Sequence, residues 1–304
     1  MIRRAAALLP LLLSSILVSC GDGGGWERVA CTPARPQPTG TVELAFDDGR
    51  RALLHVPPTY DGTEAYPLVF SWHGYGSSAE DHLAYADFRP LAESEELLVV
   101  VPQGAGSPSR FNLGAGIVGE TDDVAFADAL IDRVGADYCL DASRVYSTGV
   151  SNGGGMSALL GCRRSDRFAA VSMNALLLFP DGCGQAVPVL GMMGDADLVV
   201  PIQGGEVNCC GGWPIDSAAS TMQRWAAHAQ CTSSDTDDVE DHVVRTRWSG
   251  CADDVDIEYW LVEGGGHTWP GAADTSELGP TNQEIDASEV MWHFFRRFSL
   301  DDRG

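Results

Sequence analysis
An α/β fold, with a mostly parallel, doubly wound sheet covered by helices on both faces, is predicted by two features of the sequence. Short apolar runs rich in Val and Leu alternate with longer amphipathic stretches, the pattern of strand followed by helix repeated along a chain. The runs are apolar almost without a break, which suits strands buried on both faces rather than strands with one wet side. At 304 residues and 44% hydrophobic content the chain is long enough to bury such a core within one domain.

The first residues have another purpose. Arg3 and Arg4 precede an apolar run over 5–18, shorter than the roughly 18 to 20 apolar residues that span a bilayer. This reads as an export signal. It ends in Leu17-Val18-Ser19-Cys20, which resembles the lipobox of bacterial lipoproteins. That resemblance implies that residues 1–20 are a lipoprotein signal peptide and that Cys20 is acylated, so the chain hangs from a membrane by lipid and does not span it. Residues 21–40, with Gly21, Gly23, Gly24, Gly25, Pro33, Pro36 and Pro38 and no apolar period, read as a tether. The catalytic domain is expected over 41–304.

Within that domain strands are expected over 41–46, 51–56, 67–72, 97–101, 144–148, 168–173, 188–193 and 256–262. Helices are expected over 123–134, 152–162, 215–230 and 285–298. The last carries Val290, Met291, Phe294, Phe295 and Phe298 at helical spacing, the stripe of a helix packed on a core.

Setting Cys20 aside leaves eight of the nine cysteines, an even number, and in an exported chain that implies disulfides. Cys231 and Cys251 are expected to close an acidic excursion containing Asp235, Asp237, Asp238, Glu240 and Asp241. The other pairings stay open, including whether Cys209 and Cys210 join each other. No CxxC pair is present, which argues against a metal site. The formal charge of −24 disfavours nucleic acid and anionic membrane surfaces, and serves instead to keep an exported protein soluble. A monomer is expected.

The chemistry centres on Gly149-Val150-Ser151-Asn152-Gly153, a G-x-S-x-G placed between an expected strand and an expected helix. Small residues flank such a serine because it occupies a strained turn that lifts its hydroxyl out of the sheet. A serine hydroxyl is a poor nucleophile until an imidazole takes its proton. His267, in Gly264-Gly265-Gly266-His267-Thr268-Trp269-Pro270-Gly271 after the last expected strand, suits that base. His55 falls in a strand, His82 and His242 in polar surroundings, and His228 and His293 in helices, so these read as structural or solvated. In His73-Gly74-Tyr75-Gly76, after the strand at 67–72, the main chain rather than the imidazole is expected to act. The N–H groups of Tyr75 and Asn152 would form an oxyanion hole. Asp195 and Asp197 both follow the strand at 188–193 and both suit the acid that orients the base. The resulting order of Ser, Asp and His is that of the α/β-hydrolase fold.

Several segments together resemble the secreted esterases grouped as polyhydroxybutyrate depolymerase-like, which include feruloyl and acetylxylan esterases. They are His73-Gly74, Asp122-Asp123-Val124, Arg144-Val145-Tyr146, Gly149 to Gly154, Asp197 with Val200-Pro201, Gly265 to Gly271, and Trp292 to Phe295, within a resemblance that covers roughly 41–298. The resemblance implies a D-x-x-V-P acid and so selects Asp197 over Asp195. It implies ester hydrolysis through an acyl-enzyme without cofactor or metal, on polyhydroxybutyrate-type or feruloyl- or acetyl-polysaccharide esters. The chain departs from the family in having Met192-Met193-Gly194 where a His-Gly pair is common, and Tyr75 where a Cys is common. Trp72, Tyr75, Phe111 and Trp269 are candidates for an aromatic substrate wall. A serine peptidase and a non-catalytic surface-binding lipoprotein on the same fold are the competing readings, the second weakened by an intact Ser151, Asp197 and His267.

Overall fold
The structure, a computed structural model, describes residues 29–114, 116–274 and 277–303. The expected signal segment 1–20 with Cys20, and the first part of the expected tether, lie outside the described residues. Strands β1 (Gly40–Ala45), β2 (Arg51–Val56) and β3 (Tyr66–Trp72) come first, then two short helices, α1 (Ala79–Tyr85) and α2 (Arg89–Glu95). Next are β4 (Leu98–Pro102), α3 (Asp123–Asp137), β5 (Leu140–Gly149), α4 (Asn152–Arg163), β6 (Ala170–Asn174) and β7 (Val189–Gly194). A two-residue pair, β8 (Gly205–Glu206) and β9 (Pro214–Ile215), precedes α5 (Ala218–His228). The chain ends with β10 (Ser233–Glu240), β11 (Val243–Ser249), β12 (Ile257–Val262) and α6 (Ala287–Phe295).

Ten strands form one sheet in the order β1-β2-β4-β3-β5-β6-β7-β12-β11-β10. The central run from β4 to β12 is parallel, and antiparallel strands close both edges. Residues of β3 and β4 alternate between two cores: Leu68, Phe70, Leu98 and Val100 pack with α3, α4 and α5. Val69, Val99 and Val101 pack with α1, α2 and α6. Both sides of the central strands are therefore dry, as their near-continuous hydrophobicity demands. This is the α/β-hydrolase architecture, and all eight expected strands and four expected helices are present with small shifts at their ends.

The differences have local causes. α1 and α2 are seven residues each, too short to show a helical period, and were not anticipated. The expected helix start at Ile215 is displaced because Pro214–Ile215 pairs with Gly205–Glu206 and Ser217 caps α5 through the Ser220 N–H. The acidic excursion is a hairpin of β10 and β11, invisible to hydrophobic alternation because much of it is exposed. It is held by main-chain pairing, by an Arg245–Asp237 ion pair at 2.7 Å and by the expected Cys231–Cys251 bridge. Its charges at the sheet edge discourage further strand addition.

The expected tether is bound to the domain in its described part. Cys31 is bridged to Cys139, Ala30 pairs with Glu64, and the Arg35 guanidinium donates to the carbonyls at the end of α3. The remaining bridges are Cys162–Cys183 and Cys209–Cys210. Because Cys31–Cys139 spans 108 residues, replacing both by Ser should lower unfolding free energy by about 4 kcal/mol. Guanidinium titration of the oxidised proteins checks this, and an unchanged midpoint would show that the N-terminal segment contributes nothing to the domain.

Candidate active site
Four parallel-strand ends converge. In the sheet β3 lies between β4 and β5, so the chain leaves β3 in one direction to β4 and returns on the other side to β5. Such a reversal leaves a crevice beyond the carboxyl ends of the strands. Gly74 and Tyr75 follow β3 there, and Ser151 follows β5. Farther along, β7 and β12 are parallel neighbours and deliver Asp197 and His267 from their own carboxyl ends.

Ser151 has φ +56° and ψ −119°, a backbone that L-residues with a side chain rarely adopt. The strain is held by neighbours. Ser151 N–H donates to the Asn174 carbonyl at 2.8 Å, and Val150 N–H to the Trp72 carbonyl at 3.2 Å. The flanking glycines are needed for closeness: a Cβ on Gly153 would stand 2.0 Å from the Trp72 carbonyl oxygen, and one on Gly149 would stand 2.6 Å from Gly153. Asn152 begins α4, where a main-chain N–H has no partner within its own helix. Its side chain is occupied elsewhere, accepting from Phe111 N–H at 2.7 Å and donating to Phe111 carbonyl at 3.0 Å.

The Gly74 loop faces this turn, since a Cβ on Gly74 would lie 3.6 Å from the Ser151 Cβ. His73 braces the loop. Its Nδ1 meets the Gly74 carbonyl at 2.7 Å and must carry the proton; its Nε2 accepts from Gly104 N–H at 2.9 Å and must not. Both contacts demand the neutral ring, and burial lowers its pKa in the same sense. The imidazole therefore shapes the loop that presents Tyr75 N–H.

His267 and Asp197 form the buried pair of the site. His267 Nδ1 and Asp197 Oδ2 are 2.7 Å apart, and the Asp197 side chain has no exposed surface. Its other oxygen accepts from Val199 and Val200 N–H, each at 2.8 Å. Nδ1–H to a carboxylate leaves Nε2 as the basic nitrogen. Asp195 lies outside the pair; it is exposed and accepts from Gly264 N–H at 2.6 Å, steadying the loop before His267. Asn174 links the two halves, its carbonyl taking Ser151 N–H while its side chain donates to the Thr268 carbonyl at 2.9 Å.

Ser151, His267, Gly74 and Tyr75 line one cavity of about 430 Å³. Three aromatic candidates do not. Trp72 and Phe111 are fully buried, packed edge to face at 4.9 Å, with Trp72 Nε1 donating to Ser147 Oγ. Trp269 is buried beside Phe88 and donates to Ser288 Oγ. Each side chain points into a core because its place in the strand or turn turns it from the crevice, which periodicity alone did not reveal. Tyr75 does line the cavity. So do His82 and Tyr85 of the unanticipated α1, together with Val199, Cys209, Cys210 and Leu278. No local motif marks these residues; tertiary folding brings them in.

Residues 52–204, half of the chain, match the family described as Esterase PHB depolymerase. Over 295 residues the chain is 31% identical to a probable feruloyl esterase C of Aspergillus terreus, covering 94% of this chain and 93% of the relative. The chain belongs to the Esterase PHB depolymerase family. The feruloyl esterase C of Emericella nidulans is 29% identical over 85% of this chain and 88% of its own length. Among solved structures, acetyl xylan esterase from Aspergillus awamori superposes with TM-score 0.62 at 13% identity, covering 84% of this chain and all but 1% of that one. That likeness shows the fold. With its family, the protein is a serine esterase, a carboxylic ester hydrolase.

His82 corrects the expectation of polar surroundings. It is 2% exposed, meets Ser71 Oγ at 2.9 Å, and burial, with a smaller push from His73, lowers its pKa to about 3. Between the ordinary value of 6.5 and about 3 the unfolded chain binds a proton that folded His82 refuses. Its contribution to stability is therefore complete above pH 6.5 and declines as pH falls below it, by at most about 1.4 kcal/mol per pH unit. Denaturation of His82→Gln across this window should show a shallower acid limb than the wild type. An identical slope would mean the proton is taken up elsewhere.

Proposed function
We propose that Ser151 is the nucleophile, His267 the general base and Asp197 the acid that orients it, in a cell-envelope esterase acting on the esters that join aromatic acids to plant-wall polysaccharide. The observation that carries this reading is the meeting of a strained Ser151 and a carboxylate-bound His267 on one cavity wall. Ser151 Oγ attacks the ester carbonyl as its proton passes to His267 Nε2, and the developing oxyanion is held by Asn152 and Tyr75 N–H. The imidazolium then protonates the departing alkoxide. Water, deprotonated by the same nitrogen, releases the acid and restores the serine. The feruloyl preference is supported by the feruloyl esterase relatives.

Ser151→Ala should reduce hydrolysis of methyl ferulate to the background of the remaining site while leaving the fold intact. Asp197→Asn should lower kcat by about 10⁴, because the neutral amide no longer favours the reactive tautomer. Steady-state kinetics on methyl ferulate, acetylated xylan and a hydroxybutyrate oligomer, with circular dichroism as the folding control, checks both. A folded wild type that releases product from none of these esters would return the chain to the peptidase or binding readings.

We infer further that the chain is exported and anchored through Cys20, with 41–304 as its catalytic domain. The run at 5–18, the Leu17-Val18-Ser19-Cys20 sequence and four disulfides, which suit an oxidising compartment, support this. Full-length protein expressed in a bacterium should enter the detergent phase of a Triton X-114 partition and Cys20→Ser the aqueous phase. Equal partition would count against the anchor.

A further inference from the structure
The segment that follows the acid forms a stretch of cavity wall that the reaction itself does not use. Cys209 and Cys210, both half-buried, line the same cavity as Ser151 and His267 and are bonded to each other. A bond between adjacent cysteines closes a small ring through the peptide and removes most of the pair's backbone freedom. Cys210 stands at φ +60°, which a residue with a side chain keeps only when its surroundings hold it there.

The turn is fastened at both ends. Gly212 N–H donates to the Cys209 carbonyl at 2.9 Å and Val207 N–H to the Trp213 carbonyl at 3.0 Å. Asn208 donates from its main chain to the Val199 carbonyl at 2.8 Å and from its side chain to the Leu198 carbonyl at 3.0 Å. Val199 also holds the Asp197 carboxylate through its N–H. The two sulfurs are thus fixed relative to the acid and base by a short series of hydrogen bonds. Val199 and Leu278 line the same cavity, and like the bonded cysteines they carry side chains with no strong hydrogen-bonding group. Leu198, beside Val199, is 73% exposed and extends this apolar character toward solvent.

We propose that the Cys209–Cys210 disulfide is a specificity-determining wall that packs against the aromatic ring of the acyl group. Two polarisable sulfurs held rigid and side by side give an aromatic ring favourable contact without the loss of side-chain freedom that a Met or Leu wall would incur. A short aliphatic acyl group does not reach across the cavity to use it. This rests on Ser151 and His267 carrying the hydrolysis.

The test compares methyl ferulate with methyl butyrate, which share an alcohol and differ in the acyl group, in wild type and in the double variant Cys209→Ser, Cys210→Ser. For the variant, KM on methyl ferulate should rise about five-fold, with its kcat and both constants for methyl butyrate within about two-fold of wild type. Unchanged KM for methyl ferulate overturns the wall while leaving the esterase reading intact. An equal loss on both esters also overturns it, since the bond then serves only to hold Asp197. A wild type inactive on both esters sinks the site reading and the wall together. Should the serine pair fail to fold, wild type opened at this bond by brief phosphine reduction, with the site verified by alkylation and peptide mass spectrometry, gives the same comparison.

Discussion
The contact on which the site depends is that between the first turn of α4 and the end of β3. Gly153 lies so near the Trp72 carbonyl that no side chain fits between them. That closeness lets the chain reverse from β5 into α4 at one residue, and the residue at the reversal is Ser151, forced to positive φ. Its hydroxyl is thereby raised beyond the sheet, and its neighbour's N–H is left at a helix start where it has no intrahelical partner. Strain of this kind persists only when its surroundings over-determine it, and here β3, β6 and α4 all contribute hydrogen bonds or contacts.

A second constraint sets the His267–Asp197 pair. Because β7 and β12 run parallel and adjacent, the loops that leave them emerge side by side. Gly194 permits the approach, for a Cβ there would fall 2.1 Å from the Gly265 carbonyl oxygen. Asp197 then accepts three hydrogen bonds, two from main-chain N–H groups of its own loop and one from His267. The carboxylate is held by these partners in its buried place, and it fixes which imidazole nitrogen is left basic. Asn174, on the strand between the two halves, ties the Ser151 turn to the His267 loop.

Around this arrangement the cavity is assembled from segments with little in common. The β3 loop supplies Tyr75 and is braced by a neutral His73; α1 supplies His82 and Tyr85; the long segment after Asp197 supplies the bonded cysteines. The acidity of the chain lies mostly elsewhere, a small part of it on an exposed hairpin at the sheet edge, where charge protects an open strand.

The sequence by itself determined the parts governed by local chemistry. Continuous apolar runs can be buried only in a two-faced sheet, so the central strands and their helices were legible. A G-x-S-x-G between strand and helix has a steric reason, so the strained turn at Ser151 was legible too, and a Gly-rich loop after the last strand pointed to His267 as the candidate base. The residues around Asp195 and Asp197 left two carboxylates open, and a family resemblance was needed to choose. Only the tertiary structure decided which of them reaches the imidazole, because that depends on two strand ends meeting across the sheet. It also placed Trp72, Phe111 and Trp269 in the cores, brought His82 and the Cys209–Cys210 pair to the cavity, and folded an acidic stretch into a hairpin. These outcomes are set by long-range packing and pairing, which no periodicity within a single segment encodes.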